Sequence, residues 1–107
     1  MKPEEAALLT YDTNSSEFDS VYERNKFYRG LFGYKQTVTK NGKEYNYEKD
    51  GLMDEISCIR IDDSVFIFGK KNQEKVEEYF SSWGEKVTHR IFTVIVEDPE
   101  LIEKLKN

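Results

Sequence analysis

The sequence predicts a single α+β domain, with an antiparallel sheet, two main helices on one of its faces and a short C-terminal helix. Two observations lead to this fold class. Strand-like and helix-like runs are mixed along the chain, and a strand stands at each end of the main succession. The length of 107 residues is also close to the commonest size of one domain. We find no repeat, linker or low-complexity segment that would divide residues 1–107.

The first strand and helix are predicted from residues 6–32. Residues 6–11 are apolar at successive positions, which is typical of a central strand covered on both faces. We expect residues 12–16 to form a turn. Asn14, within it, and Glu17, three residues further on, have the spacing of a helix capping box. The first helix is then predicted over residues 16–32, with most of its apolar side chains on one stripe.

A β-hairpin is predicted next. Asn41-Gly42 separates two strand-like runs, residues 34–40 and 43–49. The dipeptide favours a type I′ turn, because both central positions of that turn need positive φ angles. The second arm alternates tyrosine with polar residues, so we expect one of its faces in water, as in an edge strand.

The second half of the chain predicts three more strands and two helices. Strands are expected over residues 56–61 and 65–68, joined by a tight turn, and over residues 90–96. Residues 73–83 place apolar side chains at helical spacing. The sequence Asp98-Pro99-Glu100 predicts the start of the short C-terminal helix, with a capping carboxylate before a proline.

This order of elements predicts a sandwich of ferredoxin-like topology. In that topology the last strand lies at an edge of the sheet. Residues 90–96 are too apolar for a bare edge, because an exposed apolar edge pairs readily with other chains. We therefore expect either the C-terminal helix or a second subunit to cover this strand, and we predict a homodimer.

The composition excludes several classes of protein. The aromatic content of 14% argues against disorder, and the net charge of −5 argues against a general nucleic-acid binder. A nucleic-acid partner is therefore not expected, although the net charge does not exclude contact with nucleic acid at one local basic patch. The single cysteine excludes an internal disulfide and a cysteine-based zinc cluster. Without a signal-like N-terminus or a membrane-spanning run, we expect a soluble cytoplasmic protein.

A few residues are of the types that carry chemistry. Asp12 follows the first strand and offers the oxygen ligands that Mg²⁺ prefers, although it also suits the polar end of a strand. Lys70 and Lys71 precede a predicted helix start and form a candidate anion site; solvated flanking lysines are the alternative. His89 is the only histidine, and Cys58 is expected to be a small buried apolar residue.

The densest basic patch is interleaved with aromatic residues. Its members are Tyr22, Arg24, Lys26, Phe27, Arg29, Tyr34 and Lys35. This composition is typical of a surface for single-stranded nucleic acid. It is equally typical of an amphipathic helix docked on a sheet, which is the interpretation we favour.

A set of motif-like residues lies in the first part of the chain. The residues concerned are Tyr11-Asp12, Arg24, Lys26, Leu31, Gly33 and Gln36-Thr37-Val38. Over residues 8–38 they resemble the small CRISPR-associated ferredoxin-fold nucleases and the related virulence-associated protein D toxins. The resemblance implies a catalytic metal, Mg²⁺ or Mn²⁺, held by Asp12, with Arg24 as a weaker catalytic candidate. The chain departs from that family in carrying an extra hairpin and Thr37 where the family has serine.

A fainter resemblance lies in residues 27–34. The sequence Phe27-Tyr28-Arg29-Gly30-Leu31-Phe32-Gly33-Tyr34 is similar to a helix end in the vicinal-oxygen-chelate family. That fold needs two βαβββ modules, whereas this chain has barely more than one. The histidine and glutamate metal ligands of the family are also missing from the expected strands.

Three functions remain open at this point. We expect a small non-enzymatic binding or regulatory protein, homodimeric, without a cofactor and with an unidentified protein partner. The first alternative is a metal-dependent phosphodiesterase or ribonuclease with Asp12 at the dimer interface. The second is an acidic inhibitor that binds a basic protein surface, for which the net charge of −5 is the motive.

Overall fold

A computed structural model describes residues 2–106. Over these residues the fold is α+β, with a four-stranded antiparallel sheet, a second two-stranded sheet and four α-helices. The strands are β1 (Glu4–Thr13), β2 (Tyr34–Lys40), β3 (Lys43–Lys49), β4 (Cys58–Asp62), β5 (Val65–Gly69) and β6 (Val87–Val96). The helices are α1 (Val21–Phe32), α2 (Leu52–Glu55), α3 (Gln73–Ser81) and α4 (Pro99–Leu105). Within residues 2–106, no helix has the length and apolar character needed to cross a membrane.

The main sheet has the strand order β4-β5-β1-β6, and every pair of neighbours is antiparallel. β1 is bonded on both sides, which explains why residues 6–11 are apolar at successive positions. The predicted turn over residues 12–16 is wrong at its start, because β1 continues to Thr13. Its last residues find partners in the long strand β6, where Asp12 pairs with Thr88.

The first helix begins later than predicted. Residues 15–17 form a short 3₁₀ turn, and α1 starts at Val21. The capping side chain is Ser20, whose Oγ accepts a hydrogen bond from the Glu23 N–H at 3.1 Å. The Glu23 carboxylate in turn accepts from the Asp19 N–H at 3.0 Å. The chain therefore carries the Ser-x-x-Glu pattern of a capping box, six residues after the position we expected.

Asn14 has a different role from the predicted cap. Its side-chain amide donates to the Glu85 carbonyl oxygen at 2.7 Å and lies 3.2 Å from the Thr88 hydroxyl. Its backbone N–H also donates to the Lys86 carbonyl oxygen at 2.8 Å. These long-range bonds extend the pairing of β1 with β6, so a tertiary contact outweighs the local capping pattern here.

The main core lies between one face of the sheet and the two longer helices. Tyr11 and the other odd-numbered residues of β1 from Ala7 point into it, as strand alternation requires. Phe80 of α3 stands at its centre, with ring contacts to both the sheet and α1. The other buried members are Ala7, Leu9, Phe27, Leu31, Leu52, Ile56, Phe66, Phe68, Val76 and Val87.

The C-terminal helix packs on the opposite face of the sheet. Ile102 and Leu105 of α4 join Ala6 and Val96 in a second buried cluster. The predicted helix start is confirmed, because the Asp98 carboxylate accepts hydrogen bonds from two backbone N–H groups of the first turn. α4 thus covers one end of a sheet face. Among residues 2–106, β1 is the only strand that pairs with β6.

The predicted hairpin is confirmed, but it stands apart from the main sheet as a sheet of its own. Its arms β2 and β3 have the predicted bounds, and Asn41 and Gly42 have φ angles of 54° and 79°. Every residue of the two arms except Val38 is exposed. The molecule measures 56 × 35 × 21 Å. The radius of gyration of 16.4 Å exceeds the value of about 13 Å expected for a compact domain of this length.

The base of the hairpin is held by a close approach of two backbone segments. A side chain added at Gly51 would overlap the backbone of Leu31 and Gly33, so only glycine fits there. Gly51 also begins α2, which the sequence did not predict. The carboxylate of Asp54 accepts a hydrogen bond from the Gly51 N–H at 2.8 Å and so caps this helix.

The remaining boundaries move by a few residues. The strand predicted over residues 56–61 is Cys58–Asp62, and the strand predicted over residues 90–96 extends back to Val87. The second main helix ends at Ser81, which leaves Trp83 in the turn behind it. Asn72 stands at the N-cap of that helix but makes no side-chain capping bond.

Candidate binding surface

The structure does not bring Asp12 and Arg24 together. Asp12 lies in β1 next to Tyr11, which points into the core, so the exposed Asp12 side chain leaves the opposite face of the sheet. Arg24 lies on α1, and its Nε is buried without a hydrogen-bond partner among the described residues. Within residues 2–106, no three histidine, cysteine or acidic side chains converge as a metal site.

Lys70 and Lys71 each have a partner near the chain ends. The ammonium of Lys70 lies 3.6 Å from the carboxylate of Glu5. The ammonium of Lys71 donates to the carbonyl oxygen of Lys106 at 3.5 Å. The two lysines that the sequence singled out for an anion are therefore already engaged, although both remain exposed.

Cys58 and His89 both border the core. The Cys58 thiol donates to the Met53 carbonyl oxygen at 3.4 Å. Burial, reinforced by the nearby charge of Asp54, raises the pKa of this thiol, which keeps it protonated at neutral pH. The ring of His89 lies 5.5 Å from that of Phe80, so it packs at the margin of the core.

A basic groove with aromatic walls lies between α1, the base of the hairpin and α3. Its volume is about 450 Å³. The lining residues are Tyr22, Lys26, Arg29, Gly30, Tyr34, Lys49, Asp50, Tyr79 and Trp83. We call this set the basic–aromatic groove. It holds three cationic side chains and one carboxylate, in a chain whose net charge is −5.

The floor of the groove depends on a glycine. The hydroxyl of Tyr79 on α3 donates to the carbonyl oxygen of Phe27 on α1 at 2.6 Å. This contact needs a residue without a side chain at position 30, because a Cβ on Gly30 would lie 2.5 Å from the Tyr79 hydroxyl. Glycine inside a helix normally weakens it, because glycine has a low helix propensity. The structure shows that it lets the two helices approach each other.

The cations of the groove face outward. Lys26, Arg29 and Lys49 form no ion pair within residues 2–106. The guanidinium of Arg29 lies 5.2 Å from the ring centre of Tyr34, a cation–π contact that orients both side chains. Three cations thus share one concave place with a single carboxylate, so positive charge prevails there.

The predicted basic patch contributes part of this groove. Tyr22, Lys26, Arg29 and Tyr34 line it, whereas the other three members lie elsewhere. Phe27 is in the core, and Lys35 pairs with Glu48 at 3.7 Å. Lys49 and Trp83 were missed, because they come from segments far from α1 in the sequence.

Tyr79, in the floor of the groove, makes the stability of the protein depend on pH in the alkaline range. Burial raises the pKa of its hydroxyl from 10.0 to about 12. Between these values the unfolded chain loses the proton and the folded chain keeps it, so the free energy of unfolding falls as the pH rises. We expect Tyr79→Phe to lose about 1 kcal/mol at neutral pH and to show a smaller alkaline fall. Urea unfolding at neutral pH and across this alkaline range measures both effects. Equal stability and an unchanged alkaline fall in the variant would contradict this assignment.

Comparison with known proteins gives no relative from which a function could be inferred. No family model matches the chain, and neither the curated proteins nor the solved structures give a significant match. The two family resemblances seen in the sequence therefore stay predictions.

Proposed function

We propose that the chain is a small non-enzymatic binding protein, and that an anionic ligand docks in the basic–aromatic groove. The observation that carries the proposal is the set of three cations, Lys26, Arg29 and Lys49, without ion-pair partners in residues 2–106. A concave basic site in an acidic protein focuses the local potential on an incoming anion.

Aromatic side chains supply the second half of the argument. Tyr22 is 74% exposed and Tyr34 is 36% exposed, and both stand beside the cations. Tyrosine and tryptophan offer large rigid contact areas with a polar tip, which suits a wet binding surface. The ligand that fits best therefore carries negative charge together with flat apolar groups.

Trp83 provides a direct test, because it is the only tryptophan and lies in the groove. Its fluorescence can be titrated with three anions: polyphosphate, polyglutamate and a short oligothymidylate. We expect at least one of them to change the emission. Lys26→Gln/Arg29→Gln should then weaken that ligand about tenfold or more, since charge-assisted contacts contribute about 1.5–3 kcal/mol each.

The double variant Lys70→Gln/Lys71→Gln is the matched control. It removes the same charge from the other predicted basic site, so it should leave the titration nearly unchanged. Three silent titrations in the wild-type protein, or equal losses in the two double variants, would refute the groove as the binding site.

We further propose that the fold is a ferredoxin-like sandwich with an inserted hairpin. The strand order β4-β5-β1-β6 supports this, as does the placement of α1 and α3 against one sheet face. In this view β2, β3 and α2 form an insertion between the first helix and the second strand of the motif.

The open edge of β6 supports a homodimer. The Tyr11 N–H donates to the Ser64 carbonyl oxygen at 3.0 Å, on the side of β1 that faces β5. Because hydrogen-bonding groups alternate along a strand, all odd-numbered residues of β1 direct their N–H and C=O groups toward β5. Even-numbered residues of β1 and β6 then bond to each other, as the register Leu8–Phe92 indicates. Within residues 2–106, the odd-numbered residues of β6 present N–H and C=O groups outward that have no strand partner; they are Val87, His89, Ile91, Thr93 and Ile95.

This edge lacks the usual protection against pairing. β6 runs ten residues in unbroken register, without proline or lysine. Arg90 is its only formal charge at neutral pH, so the strand carries no acidic residue. The negative charge that makes two copies of this protein repel each other therefore lies away from this edge. Antiparallel pairing about a two-fold axis would match odd-numbered residues with odd-numbered residues, so we propose a second copy as the partner.

A further inference from the structure

We propose that the β2–β3 hairpin extends the basic–aromatic groove into a surface for single-stranded nucleic acid. This inference rests on the proposed function and names its ligand. It revises our expectation from composition, because a net negative charge of the whole chain does not prevent cations from gathering on one surface.

The two faces of the hairpin differ sharply in composition. Cross-strand partners share a face, and faces alternate along each strand. One face holds four cross-strand pairs, each with at least one basic or aromatic side chain and none with an acid; its residues are Tyr34, Gln36, Val38, Lys40, Lys43, Tyr45, Tyr47 and Lys49. We call it the ribbon face. On the other face two of the three cross-strand pairs contact each other directly: Lys35 pairs with Glu48, and the Thr37 hydroxyl is bonded to Asn46 at 2.9 Å.

The exposure and the charge of the ribbon face suit a binding surface. Tyr45 and Tyr47 are 43% and 51% exposed, on a hairpin that pairs with no other strand within residues 2–106. An isolated two-stranded hairpin is at best marginally stable in water. At its tip Lys40 stands directly opposite Lys43, and like charges in that position are destabilising. An anion bound between the two lysines would remove this repulsion.

The ribbon face and the groove form one surface. Tyr34 and Lys49 are cross-strand partners at the base of the hairpin, and both line the groove. The path from Trp83 to the lysines at the tip therefore contains both aromatic rings and cations, with cations at the base and the tip of the hairpin and two tyrosines between them. Asp50, in the groove, is the only acidic residue on it.

Single-stranded nucleic acid matches this surface better than an acidic peptide or a duplex. Tyr45 and Tyr47 are two residues apart on one strand, which separates them by about 7 Å along the ribbon. Unpaired bases can stack on such rings while phosphates meet the lysines. An acidic peptide would use the lysines but offers the tyrosines no aromatic face. A duplex keeps its base faces inside its own stack.

The test uses labelled oligothymidylate, the corresponding duplex and polyglutamate in fluorescence anisotropy. We expect the single strand to bind more tightly than either of the others. Tyr45→Thr/Tyr47→Thr removes two rings and keeps β-branched strand formers. It should weaken the single strand about tenfold or more, because stacking on aromatic side chains contributes substantially to each base bound.

The charge contribution has its own pair of variants. Lys40→Gln/Lys43→Gln should weaken the single strand and reduce the salt dependence of its binding, since fewer phosphates are neutralised. Lys35→Gln, on the opposite face of the same hairpin, should bind like the wild type. Circular dichroism and the response of Trp83 to polyphosphate check that the variants keep their fold and their groove.

Two results would overturn the inference. One is equal or tighter binding of the duplex or of polyglutamate by the wild-type protein. The other is unchanged affinity for oligothymidylate in the tyrosine variant. If either result occurs while an anion still changes the Trp83 fluorescence, and Lys26→Gln/Arg29→Gln weakens that change, the groove remains a binding site. Only the nucleic-acid ligand is then refuted. The absence of every anion response instead refutes the proposed function itself.

Discussion

Gly30→Ala is expected to lower the free energy of unfolding by about 2 kcal/mol, the usual cost of overpacking a tight contact. Helix propensity alone predicts the opposite sign, because alanine is favoured over glycine inside a helix by about 1 kcal/mol. Steric overlap outweighs propensity here. A Cβ at position 30 would lie 2.5 Å from the Tyr79 hydroxyl and 3.2 Å from the nearest ring carbon. The ring would have to move and give up its hydrogen bond to Phe27.

The double variant Gly30→Ala/Tyr79→Phe isolates the cause. Without the hydroxyl the nearest atoms of residue 79 are ring carbons at 3.2 and 3.3 Å, which a small shift accommodates. In the Tyr79→Phe background, Gly30→Ala should therefore cost little or even stabilise, a coupling that a double-mutant cycle in urea measures. Asn25→Ala, at an exposed position of the same helix, is the control and should be neutral or slightly stabilising. Additive effects would show that the Tyr79 hydroxyl is not the obstacle.

Local signals in the sequence were reliable where the physical cause is itself local. Asn41-Gly42 fixes a turn with two positive φ angles, and both arms of the hairpin follow with the predicted bounds. Asp98-Pro99 likewise starts a helix through bonds within one turn. The first helix was misplaced because Asn14 also fits a capping pattern. Only its contacts with Glu85 and Thr88, more than seventy residues away, exclude that role.

The groove was harder to predict, because its wall is assembled from distant segments. The sequence does show Lys26 and Arg29 on one helix beside aromatic residues. Lys49 joins them because Gly51 lets the base of the hairpin fold back against the end of α1. Trp83 joins them because α3 ends at Ser81, just before it. The sequence predicts that this helix continues to residue 83, and this error of two residues hides the position of Trp83. Nothing in the local sequence around either residue reports these contacts.

Thr93→Pro is expected to convert the proposed dimer into a monomer. The N–H of Thr93 points away from β1, so proline removes a bond only on the outer side of β6 and leaves the ladder with β1 intact. Sedimentation at micromolar concentration should give the mass of two chains for the wild type and of one for the variant. Thr93→Val keeps the N–H and the strand propensity, so it should remain dimeric.

A second variant guards against misfolding of the proline variant. Thr93→Lys keeps the backbone N–H but places a charge at the edge, which natural sheets use to prevent pairing, and it should also shift the equilibrium toward one chain. A wild-type mass of one chain would contradict the homodimer. A dimer that persists in both variants would place the interface elsewhere. Phe92, which is 49% exposed on the sheet face opposite the main core, would then be the next residue to replace.

The expected dimer carries two hairpins related by the two-fold axis. Binding of one strand by both would then raise the apparent affinity for longer oligonucleotides, and Thr93→Pro would remove that gain.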